Sequence, residues 1–243
     1  MKNGQVITLG PEGLIWNEEK EAIIGELNGI RIILPKQEIK FQSFRWGISS
    51  FEEILQNILN EGFTAVVQYF DEDNVEATVS IKSLQRKAYQ GIHVGGIYDG
   101  VIEKVGPCSM YVNINGIKVR VYIMDASRAR VAQMQKIFHE GEPTKVKIYD
   151  KDSKFPYHVL GSRKDAYPGI KEESDKYKIG QMIFVTVCEK LNKDGFWIEV
   201  TPGIAGILNV NSFQSEKIQT GAKVIAEIRE KNLRLGLKCY LIE

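Results

Sequence analysis

The sequence predicts an all-β chain of three tandem five-stranded barrels with short helical inserts, the first barrel degenerate. Three observations predict it. First, three segments end alike: "NEGFTAVVQYFDEDNVEATVSIKSLQRKAY" (60–89), "HEGEPTKVKIYDKDSKFPYHVLGSRKDAYPG" (139–169) and "QTGAKVIAEIREKNLRLGLKCYLIE" (219–243). Each has a Gly, an alternating strand, a polar turn and a second strand closing on a Ser/Gly-plus-basic cluster, which is a hairpin signal. Second, "GGIYDGVIEKVGPCSMYVNINGIKVRVYIM" (95–124) lines up with "GQMIFVTVCEKLNKDGFWIEVTPGIAGILNV" (180–210), both reading strand, turn, strand, Gly turn, strand. Third, a short segment separates strand three from the closing hairpin in every unit. Five strands with one insert after the third is the order of the OB-fold, a Greek-key barrel.

Taken in order, the first unit (1–88) is the poorest copy. "QVITLGPEGLIWNEEKEAIIGELNGIRIILP" holds three strands, with a short opening and irregular turns. Its insert, "SSFEEILQNILNEG", is helical by spacing: Ser50 caps, and Phe51, Ile54, Leu55 and Ile58 recur on one side. A linker is expected near 86–94. The second unit (91–167) carries "DASRARVAQMQKIFHEG", a helix of one to three turns. "AYPGIKEESDKY", rich in Pro, Gly and charge, marks a boundary near 166–178. In the third unit (177–243) the insert is only "NSFQSEKIQTG".

Of 243 residues, 43% are hydrophobic and 26% charged, which is too apolar for a disordered chain. No apolar run is long enough to span a bilayer, and the N-terminus lacks an apolar signal core, so no membrane partner is expected. Cys108, Cys188 and Cys239 are scattered, as suits a reducing cytoplasm. The net charge of +1 argues against a strongly basic binder. It is unevenly spread: −4 over 1–90, +4 over 91–170 and +1 over 171–243. A polyanion is drawn to the middle third.

Strand alternation then sorts the faces. In "DGFWIEV" (194–200) Phe196, Ile198 and Val200 face a core, which leaves Trp197 and Glu199 on the opposite, wet face. In "SMYVNI" Met110, Val112 and Ile114 face in, and Ser109, Tyr111 and Asn113 face out. In "IKVRVYI" Ile117, Val119, Val121 and Ile123 face in, and Lys118, Arg120 and Tyr122 face out. Rings beside cations make a platform for bases and phosphates.

These units resemble the S-one RNA-binding domain, the OB repeat of the ribosomal protein of that name. The resemblance is carried by Gly96, Tyr98, Gly100 and Val101, by the aromatic-Val-x-Ile pattern of strand two, by Gly141 and Gly221, and by the "L-x-S/G-x-K" close. It covers 91–167 and 177–243 and extends to 1–90 through "GELNGIRIILPKQEI" and "ATVSIK". It implies that single-stranded RNA crosses strands two and three, with rings stacking on bases. Trp197 aligns with the exposed strand-two aromatic, Tyr122 and Asn209 with a position where many members have His, and Arg234 with a basic residue on strand five. The chain departs from the pattern where Cys108 and Asp194 replace the first strand-two aromatic. In unit one, Ile24 and Pro35 stand at the aromatic and His positions. That acidic unit is expected to be structural or to dock on protein.

Each candidate has a plainer reading. Trp197 is also the kind of ring that packs against a neighbouring domain. Arg128 and Arg130 in "DASRAR" are either phosphate contacts or a solvated helix start, and Arg163 and Lys164 are similar. "FQSFRWG" (Phe41, Phe44, Arg45, Trp46) reads first as a small satellite core. The three His (93, 139, 158) lack partners at metal-ligand spacing, and no nucleophile, phosphate-loop or metalloprotease motif is present. "DEDN" and "DKD" read as hairpin turns. The expectation is a non-catalytic, cofactor-free and metal-free binder of single-stranded RNA in translation or RNA metabolism. Its candidate contacts are Tyr111, Lys118, Arg120, Tyr122, Arg128, Arg130, Trp197, Asn209 and Arg234. The alternative is a protein-docking scaffold on the ribosome, RNA polymerase or another protein.

Overall fold

A computed structural model describes residues 1–39, 50–152, 158–233 and 236–242. "FQSFRWG" and Arg234 lie outside the described residues. The first unit contains β1 (Val6–Leu9), β2 (Ile15–Asn17), β3 (Ala22–Leu27), β4 (Ile30–Pro35), α1 (Phe51–Glu61), β5 (Phe63–Asp71), β6 (Glu76–Ser80) and α2 (Ile81–Gly91). A larger unit follows. Its first part holds β7 (Ile97–Val105), β8 (Ser109–Ile114), β9 (Ile117–Tyr122), α3 (Ile123–Ala126), β10 (Pro143–Lys151) and β11 (Val159–Ser162). Its second part holds α4 (Ile170–Glu173), β12 (Met182–Asn192), β13 (Gly195–Thr201), β14 (Ile204–Asn209), α5 (Ser212–Lys217), β15 (Lys223–Asn232) and β16 (Gly236–Leu241).

β7–β11 and β12–β16 each close into a five-stranded barrel. In both, strands three and five run parallel, β9 with β11 and β14 with β16, while strands one and four pair antiparallel. These are tandem OB barrels. The recurring Gly before strand four is a backbone requirement: Gly62, Gly141 and Gly221 all sit at positive φ (80°, 86° and 91°), where a side chain is strained.

The first unit is the same barrel cut in its first strand. Its sheet runs β1-β5-β6-β4-β3-β2 and does not close. β1 pairs with strand four (β5), and β2 pairs with strand two (β3). Between the two pieces lies "GPEGL", where Leu14 N–H donates to Pro11 C=O at 3.2 Å. Pro11 has no N–H to give a ladder, so the strand breaks there. The result is six strands rather than the expected five.

Helices follow the sequence where local signals are strong. Ser50 Oγ accepts from Glu53 N–H (3.2 Å) and Glu53 Oε2 accepts from Ser50 N–H (3.0 Å), a reciprocal cap that starts α1. Two expectations are corrected. The segment read as closing cluster and linker is helical from Ile81 to Gly91, started by Ser80 Oγ accepting from Ser83 N–H at 2.8 Å. The second-unit insert makes only the single turn α3 and a 3-10 turn at Met134–Lys136. Ser127 leaves helical geometry (φ −145°), and its hydroxyl oxygen accepts from Ala129 N–H at 3.1 Å. A local hydroxyl bond of this kind competes with continuing the helix.

Candidate nucleic-acid interface

The β8–β9 hairpin turns at Asn115–Gly116, both at positive φ, as a tight hairpin requires. Along it, burial alternates without a break. Met110, Val112, Ile114, Ile117, Val119 and Val121 fill the barrel, while Tyr111, Lys118, Arg120 and Tyr122 stand half-exposed on the other side. Arg120 binds this face together. Its guanidinium carbon lies 4.6 Å from the Tyr122 ring centroid and 5.9 Å from that of Tyr111, and its Nε donates to Ser109 Oγ at 3.2 Å. Lys118 is ion-paired with Glu103. The arrangement is a cation held between two rings, with flat apolar surface next to positive charge.

The corresponding face of the next barrel is different. Phe196 and Ile198 enter its core, as alternation requires. Trp197 is half-buried on the outer side. Glu199, expected in water beside it, is only 8% exposed. It receives a two-pronged contact from Arg163: Nη2 donates to Oε1 at 2.9 Å and Nη1 to Oε2 at 3.0 Å. Ser127 Oγ also donates to Oε2. Arg163 is itself buried, donates to Ala126 C=O at 2.9 Å and lies 4.9 Å from the Phe138 ring. Neither sequence reading of Arg163, phosphate contact or solvated cation, describes it. It is the bolt between two barrels. Loss of one partner from such a buried pair typically costs about 3–5 kcal/mol. The seam is tight elsewhere too. A Cβ on Gly221 would lie 2.2 Å from Lys136 C=O, and one on Gly203 would lie 2.2 Å from Pro168 C=O.

Beside the bolt the seam opens into a cleft of about 610 Å³. Met124, Arg128, Arg130 and Lys164 of the second barrel line it, opposite Trp197 and Ile204 of the third. Each cation has a carboxylate neighbour. Arg128 Nη2 donates to Asp165 Oδ1 at 3.3 Å. Arg130 Nε is 3.2 Å from Glu189 Oε2, an ion pair without hydrogen-bond geometry. Lys164 Nζ donates to Met124 C=O at 2.6 Å and lies 3.5 Å from Asp125. Exposed pairs of this kind are worth about 0–1 kcal/mol, so they aim the cations more than they fix them.

Two groups of expected residues are therefore brought together: Tyr111, Lys118, Arg120 and Tyr122 on one face, and Trp197, Arg128 and Arg130 in the cleft. Arg128 and Arg130 sit in an irregular loop rather than at a helix start. Asn209 stands apart. It pairs with Gly195 at the far end of the β13–β14 ladder from Glu199, and its Nδ2 donates to Cys239 C=O at 3.4 Å. In the first unit Ile24 is buried, as are its strand neighbours Ala22, Ile23 and Gly25, so β3 offers no open ring-and-cation face there. Tyr149 was missed by the sequence reading. It is exposed at an outward position of β10, and its hydroxyl donates to Asp125 Oδ2 at 3.4 Å. Burial first, then Asp125, pushes its pKa up to about 12. Its place one residue after the buried Ile148 is the alternation signal that would have found it. Among the described residues no cluster of three or more His, Cys, Asp or Glu is placed to hold a metal, and no helix is long and apolar enough to cross a membrane.

Fold and faces together define a class: a chain of tandem OB barrels. The resemblance to the S-one ribosomal protein, read from the residues, is shown by curated relatives that carry that name. The chain is 27% identical over 146 residues to the small ribosomal subunit protein bS1 homolog of Bacillus subtilis, covering 59% of this chain and 37% of that one. It is 20% identical over 219 residues to bS1 of Leuconostoc lactis, covering 87% and 49%. It thus spans less than half the length of these relatives. No family model matches. Among solved structures it is similar to a multidomain protein with nucleic acid binding domains from Streptococcus pneumoniae, at 14% identity and a TM-score of 0.33, covering 99% of this chain and 74% of that one.

Proposed function

We propose that this chain is a non-catalytic, cytoplasmic binder of single-stranded RNA that serves translation or RNA metabolism. Three modules, 1–88, 91–167 and 177–243, divide the work, with binding centred on the later two. One observation carries the reading: Arg120 lies between the rings of Tyr111 and Tyr122 on an outward strand face. Every base has a π-face, and stacking on a protein ring is worth about 1–3 kcal/mol per base with little sequence preference. The ring-and-cation pair supplies the stacking and the charge together. Relatives named as small ribosomal subunit proteins support RNA as the polymer. The test is anisotropy of a labelled, unstructured oligoribonucleotide at low ionic strength. Binding is expected, weakened at least fivefold in a Tyr111→Ala/Tyr122→Ala variant; no binding by the parent protein sinks the reading.

A second reading, docking on the small ribosomal subunit, is favoured by a different surface. On the third barrel Met182, Phe184, Ile225 and Tyr240 are exposed, with Phe184 directly opposite Ile225 across the ladder. Exposed apolar side chains grouped on one barrel mark interaction surfaces, here around Glu227, which pairs with both Met182 and Tyr240. Co-sedimentation with small subunits that is lost in Phe184→Lys, but retained in Tyr111→Ala/Tyr122→Ala, would select docking over RNA binding.

A further inference from the structure

We propose that the side of the second barrel built from β7 and β10 carries a nucleotide subsite of its own, outside the β8–β9 face, which takes the next stretch of a single RNA strand as it leaves Tyr122. The inference rests on the RNA-binding reading above. The site is a cavity of about 530 Å³, within the roughly 300–1,000 Å³ typical of small-ligand sites. Ile97, Lys147, Tyr149, Tyr167 and Arg128 line it. Strand register carries the path. Leu160 of β11 stands level with Arg120 of β9, so two residues further along these parallel strands Ser162 stands level with Tyr122. Ser162 pairs with Lys147 of β10, and Lys147 pairs with Ile97 of β7. One rung thus runs from the last ring of the platform, past Ser162, to a cation and a half-exposed apolar side chain in the cavity. Neighbouring strands lie about 4.8 Å apart, so the Lys147 backbone is about 10 Å from that of Tyr122.

The chemistry suits a base beside a phosphate. Tyr149 is the extra residue of a bulge: Ile148 pairs with Gly161 and Asp150 with Leu160, which leaves Tyr149 between them. A bulge re-aims a side chain, and this ring is 43% exposed in the cavity. Its hydroxyl donates to Asp125, three residues beyond Tyr122, so the ring stands next to the platform. Lys147 has no carboxylate partner among the described residues, whereas Lys145 on the same strand pairs with Asp99 at 3.8 Å. Two carboxylates line the cavity as well. Asp165 accepts from Arg128 at 3.3 Å and from Ser162 Oγ at 2.8 Å, and Glu172 accepts from Gly169 N–H at 3.0 Å. The formal charges cancel, so the pull on a distant polyanion is weak and Lys147 acts by local contact. The third barrel lacks this pair. The same rung there reads Asn209, Tyr240, Glu227 and Met182, and the bulge residue is Arg229. A carboxylate therefore stands in the place of Lys147, and a cation in the place of the Tyr149 ring.

The experiment titrates the full chain with unstructured oligoribonucleotides of about four and about twelve nucleotides, since a single OB face takes as few as about four. Tyr149→Ala/Lys147→Gln is expected to weaken the long oligomer about tenfold and the short one less than about twofold. Tyr111→Ala/Tyr122→Ala weakens both. Tyr149→Phe, which keeps the ring and loses the bond to Asp125, binds the long oligomer as the parent does. Lys147→Gln alone lowers the slope of log affinity against log salt by about one for the long oligomer. A long oligomer carrying 4-thiouridine, irradiated on the parent chain, gives adducts that map to Tyr149 or Tyr167 as well as to the platform. Circular dichroism checks the fold of each variant. If the platform variant weakens the long oligomer while Tyr149→Ala/Lys147→Gln does not, and no adduct maps to Tyr149 or Tyr167, the cavity is not a subsite and the RNA reading stands. If adenosine 5′-monophosphate binds and is lost in Tyr149→Ala/Lys147→Gln, while the long oligomer is unaffected, the cavity serves a free nucleotide and the strand path is wrong. If neither oligomer binds the parent chain, the RNA reading fails and takes this inference with it.

Discussion

The outer faces of β8–β9 and β13–β14 occupy the same place in two copies of one barrel, yet they differ in what they can touch. On the first, Arg120 has a tyrosine ring on either side and the whole row is half-exposed. On the second, the row is divided. Glu199 and Ala205, paired across the ladder, are buried at one end, while Trp197 and Asn209 stay half-exposed further along. Each face also meets an arginine: Arg120 stands on the first, and Arg163 of the second barrel reaches Glu199 on the other. One guanidinium lies on a half-exposed face; the other is held by a carboxylate of the neighbouring barrel. An outward position is thus only a candidate surface, and a neighbouring module decides whether it stays one.

Exchanging the two arginines gives the sharpest test. Arg163→Met strands the Glu199 carboxylate in the seam and should destabilise the fold by about 3–5 kcal/mol in denaturant unfolding. Arg163→Met/Glu199→Leu removes both charges and should recover most of that loss. Arg120→Met should leave stability within about 1 kcal/mol, since its partners are partly exposed. Equal losses for Arg163→Met and Arg120→Met would erase the distinction between the faces.

Binding reverses the ranking. Arg120→Met should weaken an unstructured oligoribonucleotide by about 1–2 kcal/mol, through a lost cation and two rings left without their shared neighbour. The measurement is anisotropy at fixed salt, with circular dichroism to check the fold. If Arg120→Met binds as the parent does, the β8–β9 face is not the platform.

A pH titration separates the barrels more gently. Burial pushes the Cys188 and Cys239 thiols of the third barrel up to about 12. In the unfolded chain a thiol titrates near 8.5, so the folded barrel favours the neutral form. The stability from this preference is whole below about pH 8.5 and is lost as pH climbs towards about 12. Urea midpoints should fall between pH 8 and pH 10, about the window in which unfolded thiols ionise, and fall less in Cys188→Ala/Cys239→Ala. The same burial shields both thiols from alkylation at pH 8, whereas the exposed Cys108 of the second barrel reacts; intact mass should show one adduct under native conditions.

The smallest effect concerns Lys118, which is ion-paired with Glu103 at the barrel surface. Lys118→Gln should change stability by less than about 1 kcal/mol. If Lys118 meets a phosphate, the same variant lowers the slope of log affinity against log salt by about one. An unchanged slope would confine Lys118 to its partner Glu103.

The core faces of β8, β9 and β13, the capped start of α1 and the tandem order of the barrels were legible in the sequence. Each rests on a period or on a contact within a few residues. Three features were not. The cut in the first barrel needed Pro11 to be placed in a strand that must pair on both sides. The short second-unit insert turns on Ser127, whose hydroxyl bonds Ala129 N–H beside it and also meets Glu199, 72 positions later, which no local pattern reports. For Tyr149, alternation gives the outward position, but its contact with Asp125, 24 positions earlier, is set by the packing.

By itself the sequence determined which side chains each strand turns inward and which it turns outward, because that alternation is set by the pleat of the backbone. It also determined where the strands must turn, through Gly, Asn-Gly and Pro, whose backbone limits act locally. Only the tertiary structure decided what the outward side meets. Glu199 and Arg163 are 36 residues apart and belong to different barrels, and no local preference reports their contact. The same docking leaves Trp197 facing a cleft instead of open solvent, since two convex barrels touching at one edge must part at the next.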